Sequence, residues 1–272
     1  MTAGGAEAAL LQRIEAYFDA VPRPAADVEE HGPLTLFVSR IPWRFYGRPR
    51  LGLDGAVTAG DVRALRARQR ALGVREALEW VDETTPSLAG AAEAAGMRVA
   101  RVPLLALDVA AWRPVPIPAG VGVRGLDADD DALRASQGAV EVAFAHGDMA
   151  TGPAGAAARD AAAAAAGGLG FLRDRIRAGI TRVAVAETAS EGVVAAGSHQ
   201  PRDGVSELMG IGTLPAARRR GIGLALTGGL VEDARALGVQ LAVLSAASDD
   251  VARLYARAGF RRVATACFGR PA

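Results

Sequence analysis

Leu214-Pro-Ala-Ala-Arg-Arg-Arg-Gly-Ile-Gly223 sets three arginines and two glycines between an apolar stretch and a run with helical spacing. Upstream, Val205 to Leu214 reads as a strand stopped by Pro215. Downstream, Ile222, Leu226, Leu230 and Leu237 recur at close to helical spacing, and Gly238 stands where a left-handed C-terminal cap belongs. A glycine turn between strand and helix exposes backbone N–H groups and adds the partial positive charge of a helix N-terminus. Gly221, Ile222 and Gly223 would form an anion cradle fit for a pyrophosphate, with Arg218, Arg219 and Arg220 at its rim. The turn is not a P-loop, since no Gly-Lys-Ser/Thr ending exists, and it lacks the acidic ribose partner of a dinucleotide fold. A plain connector with a solvated arginine patch stays open, as does nucleic-acid binding, although no aromatic platform accompanies the arginines.

Working outward, Arg182 to Ala186 and Gly192 to His199 read as an antiparallel hairpin, preceded by an amphipathic helix over Phe171 to Ile180. Leu241 to Leu244 is a short buried strand, Asp249 and Asp250 open another helix, and Phe260 to Phe268 closes as a strand. Val121 to Leu126 gives a first strand, and the acidic run Asp127 to Asp131 caps the next helix better than it would hold a metal. The Ala-Gly stretch from Thr151 to Gly170 predicts a short helix ended by Gly167 and Gly168, in a mobile or lid-like insertion. Three alternate prolines in Ala111 to Gly120 predict an extended connector, which divides the chain into 1–112, a linker 113–120, and 121–272.

The front half echoes the back. Ala71-Leu-Gly-Val74 matches Ala236-Leu-Gly-Val239, and Ala95-Gly-Met97 matches Ala258-Gly-Phe260, each at the same place in a helix-strand-helix-strand order. Before its helix, however, the front half reads Leu51 to Gly60 with no arginine-flanked glycine turn. It should not hold a pyrophosphate. Extending the sheet, covering an acceptor cleft or forming a homodimer surface are its expected roles.

Composition bounds the chemistry. The 272 residues are 50% hydrophobic, enough for one large core or two ordinary ones. The net charge is +1, and all 31 Lys-or-Arg positions are Arg, so lysine-nucleophile chemistry is excluded and a nucleic-acid partner is not expected. Cys267 is the single cysteine and the histidines are His31, His146 and His199, which rules out an intramolecular disulfide and argues against a metal centre. No apolar run approaches a bilayer span, and Met1 to Glu7 lacks a signal pattern, so a cytoplasmic protein with no membrane partner is expected.

The turn at Leu214 to Gly223 resembles the CoA-binding motif of GNAT acyltransferases, and Leu254-Tyr-Ala-Arg-Ala-Gly-Phe260 is similar to the second signature of that family, a tyrosine-bearing helix ending in Gly-Phe. Together with the upstream strands, the resemblance covers 121–272. It implies an α/β fold with a GNAT-like mixed, mostly antiparallel central sheet flanked by helices, here as a tandem of a degenerate and a complete copy. It also implies acetyl-CoA as acyl donor, no metal, and a small-molecule or amino-acid primary amine as acceptor. Glu207 would be the general base, acting through water, and Tyr255 the acid for the departing thiolate. Backbone groups of Ile211, Gly212 and Thr213 would hold pantetheine, on a strand that Gly210 and Gly212 allow to bulge. Many members carry asparagine where Ser248 stands, so that contact to the donor would be partial. Each role has a plainer counterpart: Glu207 as a solvated strand-end acid, Tyr255 as a core tyrosine, His199 as a turn residue rather than a base or acceptor contact. A non-catalytic acyl-CoA sensor or scaffold is the competing class.

Overall fold

The computed structural model describes residues 3–147 and 149–272, which form two compact units, 1–104 with 263–272 and 105–262. The units therefore divide at Leu105 and Val263, and the proline-rich segment 113–120 belongs to the second.

The first unit begins with α1 (Ala3–Ala20), β1 (Ala26–His31), β2 (Leu34–Ser39) and β3 (Gly47–Pro49). It continues through α2 (Ala59–Ala71), β4 (Leu78–Val81), α3 (Ser87–Ala94) and the first part of β5 (Met97–Asp108). Leu34, Leu36, Val62, Leu65, Leu78, Trp80 and Leu88 form its core, with Cys267 from the end of the chain. Burial pushes the Cys267 thiol up to about 12, so it stays protonated and inert. Helix α2 starts with a complete capping box: Thr58 Oγ1 accepts from Asp61 N–H, and the Asp61 carboxylate accepts from Thr58 N–H at 2.8 Å.

The second unit adds β6 (Val121–Leu126), α4 (Ala132–Ala145), α5 (Ala156–Ala165), α6 (Gly170–Arg177), β7 (Arg182–Thr188), β8 (Gly192–Arg202) and β9 (Val205–Thr213). Then come α7 (Ile222–Ala236), β10 (Leu241–Ser245), α8 (Asp249–Arg257) and β11 (Arg261–Pro271), whose later residues pair with β4 in the first unit. Strands β10-β9-β8-β7-β6 lie side by side in that order. β9 and β10 run parallel, and the other pairs of this group are antiparallel. The expected mixed, mostly antiparallel α/β fold is the one observed.

Helix α7 packs on β6 to β9 through Ile222, Leu226 and Leu230, all at most 1% exposed, whereas Leu237 falls at the C-cap and is 51% exposed. Its periodicity thus ends one residue earlier than the spacing predicts. Gly228 receives Val115 so closely that a Cβ there would lie 2.4 Å from the valine methyl, and Trp112 is buried beside it. The proline-rich stretch is accordingly packed along α7.

The Ala-rich segment differs from the expected mobile insertion. Gly138 of α4 lets α5 approach until a Cβ would lie 2.3 Å from Arg159 O, and Arg159 donates from α5 to Glu191 O and Val193 O, both at 2.6 Å. Close helix packing through glycine and a buried guanidinium hold the segment in place, and neither shows in a run of alanines.

The first element of the internal echo is built alike in both units. Gly73 and Gly238 both take left-handed φ, and the N–H groups of Val74 and Val239 reach back to Gln69 O and Ala234 O at 3.0 Å each. Gly96 and Gly259 also take left-handed φ after α3 and α8, and Phe260 N–H reaches back to Tyr255 O at 3.2 Å.

Candidate functional site

The site is built around the break between β9 and α7. Gly210 has φ +61°, and the pairing of β8 with β9 shifts between Ala196 and Ser198, so β9 bulges where glycine permits it. Gly212 has another purpose. A Cβ on it would lie 2.7 Å from the Ala143 methyl, so its lack of a side chain lets α4 cross β9 closely.

Beyond β9 the three arginines divide their work. Arg218 donates Nε to Thr213 O at 3.0 Å and its terminal nitrogens to Ala143 O, Gly147 O and Ala150 O at 2.5–2.7 Å. It staples the end of α4 to the turn. Arg219 is exposed with φ +64°, and Arg220 pairs with Glu191 at 3.3 Å. Gly221, at φ +78°, is the N-cap of α7 and supplies no side-chain cap, and the first intrahelical bond runs from Ala225 N–H to Gly221 O. The N–H groups of Ile222, Gly223 and Leu224 thus precede any helical partner.

These three residues line a cavity of about 650 Å³ within the second unit. Ile211, Gly212, Thr213, Arg218, Arg219 and Gly221 line it as well, as does Tyr255 from α8. Tyr255 is 8% exposed and meets Phe260 edge-on at 6.2 Å, so it is both core and cavity wall. Among the described residues, the predicted Arg220, Glu207 and Ser248 are not part of the lining. Ser248 instead accepts from Val251 N–H at 3.3 Å and caps α8. Glu207 is half-buried on β9 opposite Gln200 and shares a sheet face with Met209, which does line the cavity. Two residues along a strand put them about 7 Å apart.

His199 is not a turn residue. It is fully buried in β8, with Nδ1 at 2.8 Å from Ser206 Oγ and Nε2 at 2.9 Å from Asp233 of α7. Arg182 of β7 holds the same carboxylate at 2.9–3.0 Å. Burial alone would raise the Asp233 pKa, but the His199 and Arg182 bonds outweigh it and hold the carboxyl well below the usual range. The cluster pins α7 to three strands.

Sequence reasoning missed Phe144, Met149, Arg253 and Arg257, all of which line the cavity. Arg253 and Arg257 carried a signal, four residues apart and flanking the tyrosine on one helix. Phe144 and Met149 carried none, because only the Gly212 contact reveals where α4 ends. Among the described residues no group of three or more His, Cys, Asp or Glu side chains is arranged to hold a metal, and no helix is long and apolar enough to cross a membrane.

The family model described as acetyltransferase (GNAT) family matches residues 173–260, from α6 to the end of the tyrosine signature. No curated protein matches the chain. Among solved structures, a GCN5-related N-acetyltransferase from Kribbella flavida superposes with TM-score 0.72 at 23% identity, covering 96% of both chains. Another from Sphaerobacter thermophilus gives 0.53 at 22% identity, covering 74% of this chain and 62% of its own. A tandem GNAT protein from the clavulanic acid biosynthesis pathway gives 0.54 at 17% identity, covering 87% and 77%. At these identities the likeness establishes the fold, and the family match places the similarity to the acetyltransferase (GNAT) family at residues 173–260 of the second unit.

Proposed function

We propose that the second unit transfers an acetyl group from acetyl-CoA to the primary amine of a small molecule or amino acid. The observation that carries this reading is the first turn of α7, uncapped and lining the same cavity as the bulged strand and Tyr255. Three N–H groups and the helix dipole suit a pyrophosphate. The strand groups around Gly210 suit the pantetheine arm, which would bring the thioester toward Tyr255.

Attack by the neutral amine on the thioester carbonyl forms a C–N bond and breaks the C–S bond. The Tyr255 hydroxyl gives its proton to the leaving thiolate sulfur. The amine loses its extra proton to Glu207 through water, which the distance of that carboxylate from the cavity lining requires. Holding amine and thioester together supplies much of the acceleration.

Thiol release from acetyl-CoA in the presence of a panel of primary amines tests the reading. Tyr255→Phe and Glu207→Gln should each lower turnover by about 10²-fold or more while donor affinity stays within a few-fold. Wild-type rates in both variants would remove these residues from the chemistry. One observation favours a second reading: Glu207 does not line the cavity. A unit that binds acyl-CoA without turning it over would show tight donor binding and no thiol release with any amine.

A further inference from the structure

The α4 side of the cavity has a chemistry that a phosphorylated donor does not call for. Gly210 and Gly212 both turn toward α4, where Val140 Cγ1 and the Ala143 methyl are the atoms nearest to a Cβ built on them. The cavity floor there is bare backbone. Phe144, next to last in α4, lies over it with Cε2 3.8 Å from the Gly212 Cβ position, and this cavity-lining residue is 61% exposed. Met149 and Met209 add two half-buried thioether chains to the same lining. The Met209 sulfur accepts from Gln200 Nε2 at 3.1 Å, which anchors that chain on β9.

Charge is unevenly distributed around this cavity. Its arginines come from the turn before α7 and from α8, and Asp250, the single acid of the described lining, belongs to α8 as well. Phe144, Met149 and Met209 carry no charge. An open aromatic ring with two unbranched thioether chains adapts readily to an apolar body. The same wall is costly for a cation, because a desolvated ammonium loses its water and gains no partner. The reacting amine must be neutral when it attacks, so an apolar approach favours the form that the chemistry needs. A second or third ammonium on the same molecule meets the cost without that benefit.

We propose that Phe144, Met149 and Met209 form the acceptor subsite and select monoamines with an aryl or branched-alkyl body over polyamines and aminoglycosides. The proposal rests on the acetyl-transfer reading of the cavity and names its acceptor class. With the apolar body against Phe144 and Met149, the nitrogen faces the strand that carries Met209 and, two residues before it, Glu207.

The test is steady-state acetyl transfer by the full chain to 2-phenylethylamine, 3-methylbutylamine, spermidine and kanamycin. Wild type is compared with the doubly substituted Phe144→Ser/Met149→Gln, and acetyl-CoA affinity is measured separately by equilibrium titration. Wild type should use the two monoamines with kcat/KM about tenfold or more above that for the two polycations. The double variant should lose about tenfold on the monoamines, mainly through KM, while its kcat/KM for the polycations stays within about threefold. Its acetyl-CoA affinity should stay within about twofold, because the donor contacts lie elsewhere. Phe144 is exposed and Met149 half-buried, so the ligand-free melting temperature should match wild type. Equal or better use of the polycations by wild type would overturn the subsite and leave acetyl transfer intact. So would a monoamine preference that survives the double substitution. A fall in acetyl-CoA affinity as large as the loss in kcat/KM would place the wall on the donor and overturn the subsite too. Transfer to none of these amines would overturn the acetyl-transfer reading itself, and the subsite with it.

Discussion

At the residue scale, two half-buried carboxylates give the fold opposite responses to pH. Glu79 on β4 is desolvated enough to push its pKa up to about 7, although Arg270, Arg48 and Arg75 pull the other way. The native state then binds a proton that the unfolded state has lost, so stability falls as pH rises from about 4.5 to 7. Glu79→Gln should remove this slope and add about 2–3 kcal/mol at pH 8, read by denaturant unfolding at pH 5 and pH 8. An unchanged slope in the variant would count against the burial of that carboxyl. Asp233 has the reverse sign. Its carboxyl is held low, so its contribution is present above the ordinary carboxylate range and disappears as pH falls. Asp233→Asn should cost about 2 kcal/mol at neutral pH and little in acid. A loss of the same size at both extremes would contradict the charge-based account. The two carboxylates also show what a sequence withholds at this scale. Asp233 lies in an ordinary helical stretch, and its partners Arg182 and His199 are 51 and 34 residues away. Tyr255 and the glycine turn were legible as cavity-lining features because each belongs to a motif ordered locally along the chain.

At the element scale, close approach of helices depends on glycines whose purpose no periodicity reveals. Gly138 is one. A methyl there must displace α5, since its Cβ would lie 2.3 Å from Arg159 O. Gly138→Ala should therefore destabilise by about 1–3 kcal/mol despite the better helix propensity of alanine. Gly90 in α3 meets nothing within 4 Å, and Gly90→Ala should stabilise by about 0.5–1 kcal/mol. If both substitutions shifted stability in the same direction, packing would not be what separates them. The strands and α7 of the second unit were readable because alternation, turn residues and caps all agree there. The Ala-rich α5 was readable as a helix but not as a packed one, since a nearly uniform alanine face has no apolar stripe to aim.

At the scale of the whole molecule, two units that share turn geometry differ at one helix start. α2 closes its N-terminus with the Asp61 carboxylate, which Thr58 holds low in pKa and which occupies the place an anion would take. α7 begins at a glycine, with no side chain on its first-turn N–H groups. On the proposed reading, the open N–H groups of α7 suit a phosphate and the capped start of α2 does not. The C-terminal caps after Ala71 and Ala236 are the same in both, so this shared turn geometry was visible along the chain. The cavity wall from α4 was not, because it depends on how helices cross.

The central claim is that the first turn of α7 holds the acyl donor, and titration of acetyl-CoA into wild type and Gly223→Asp tests it most directly. An aspartate in the first turn favours the helix dipole, and its Cβ asks only that the Thr213 hydroxyl, 3.2 Å away, give slightly. The variant should keep or raise its melting temperature yet lose at least tenfold in donor affinity, because its carboxylate occupies the anion cradle. Equal affinity in the two proteins, or no binding by wild type, would contradict the account.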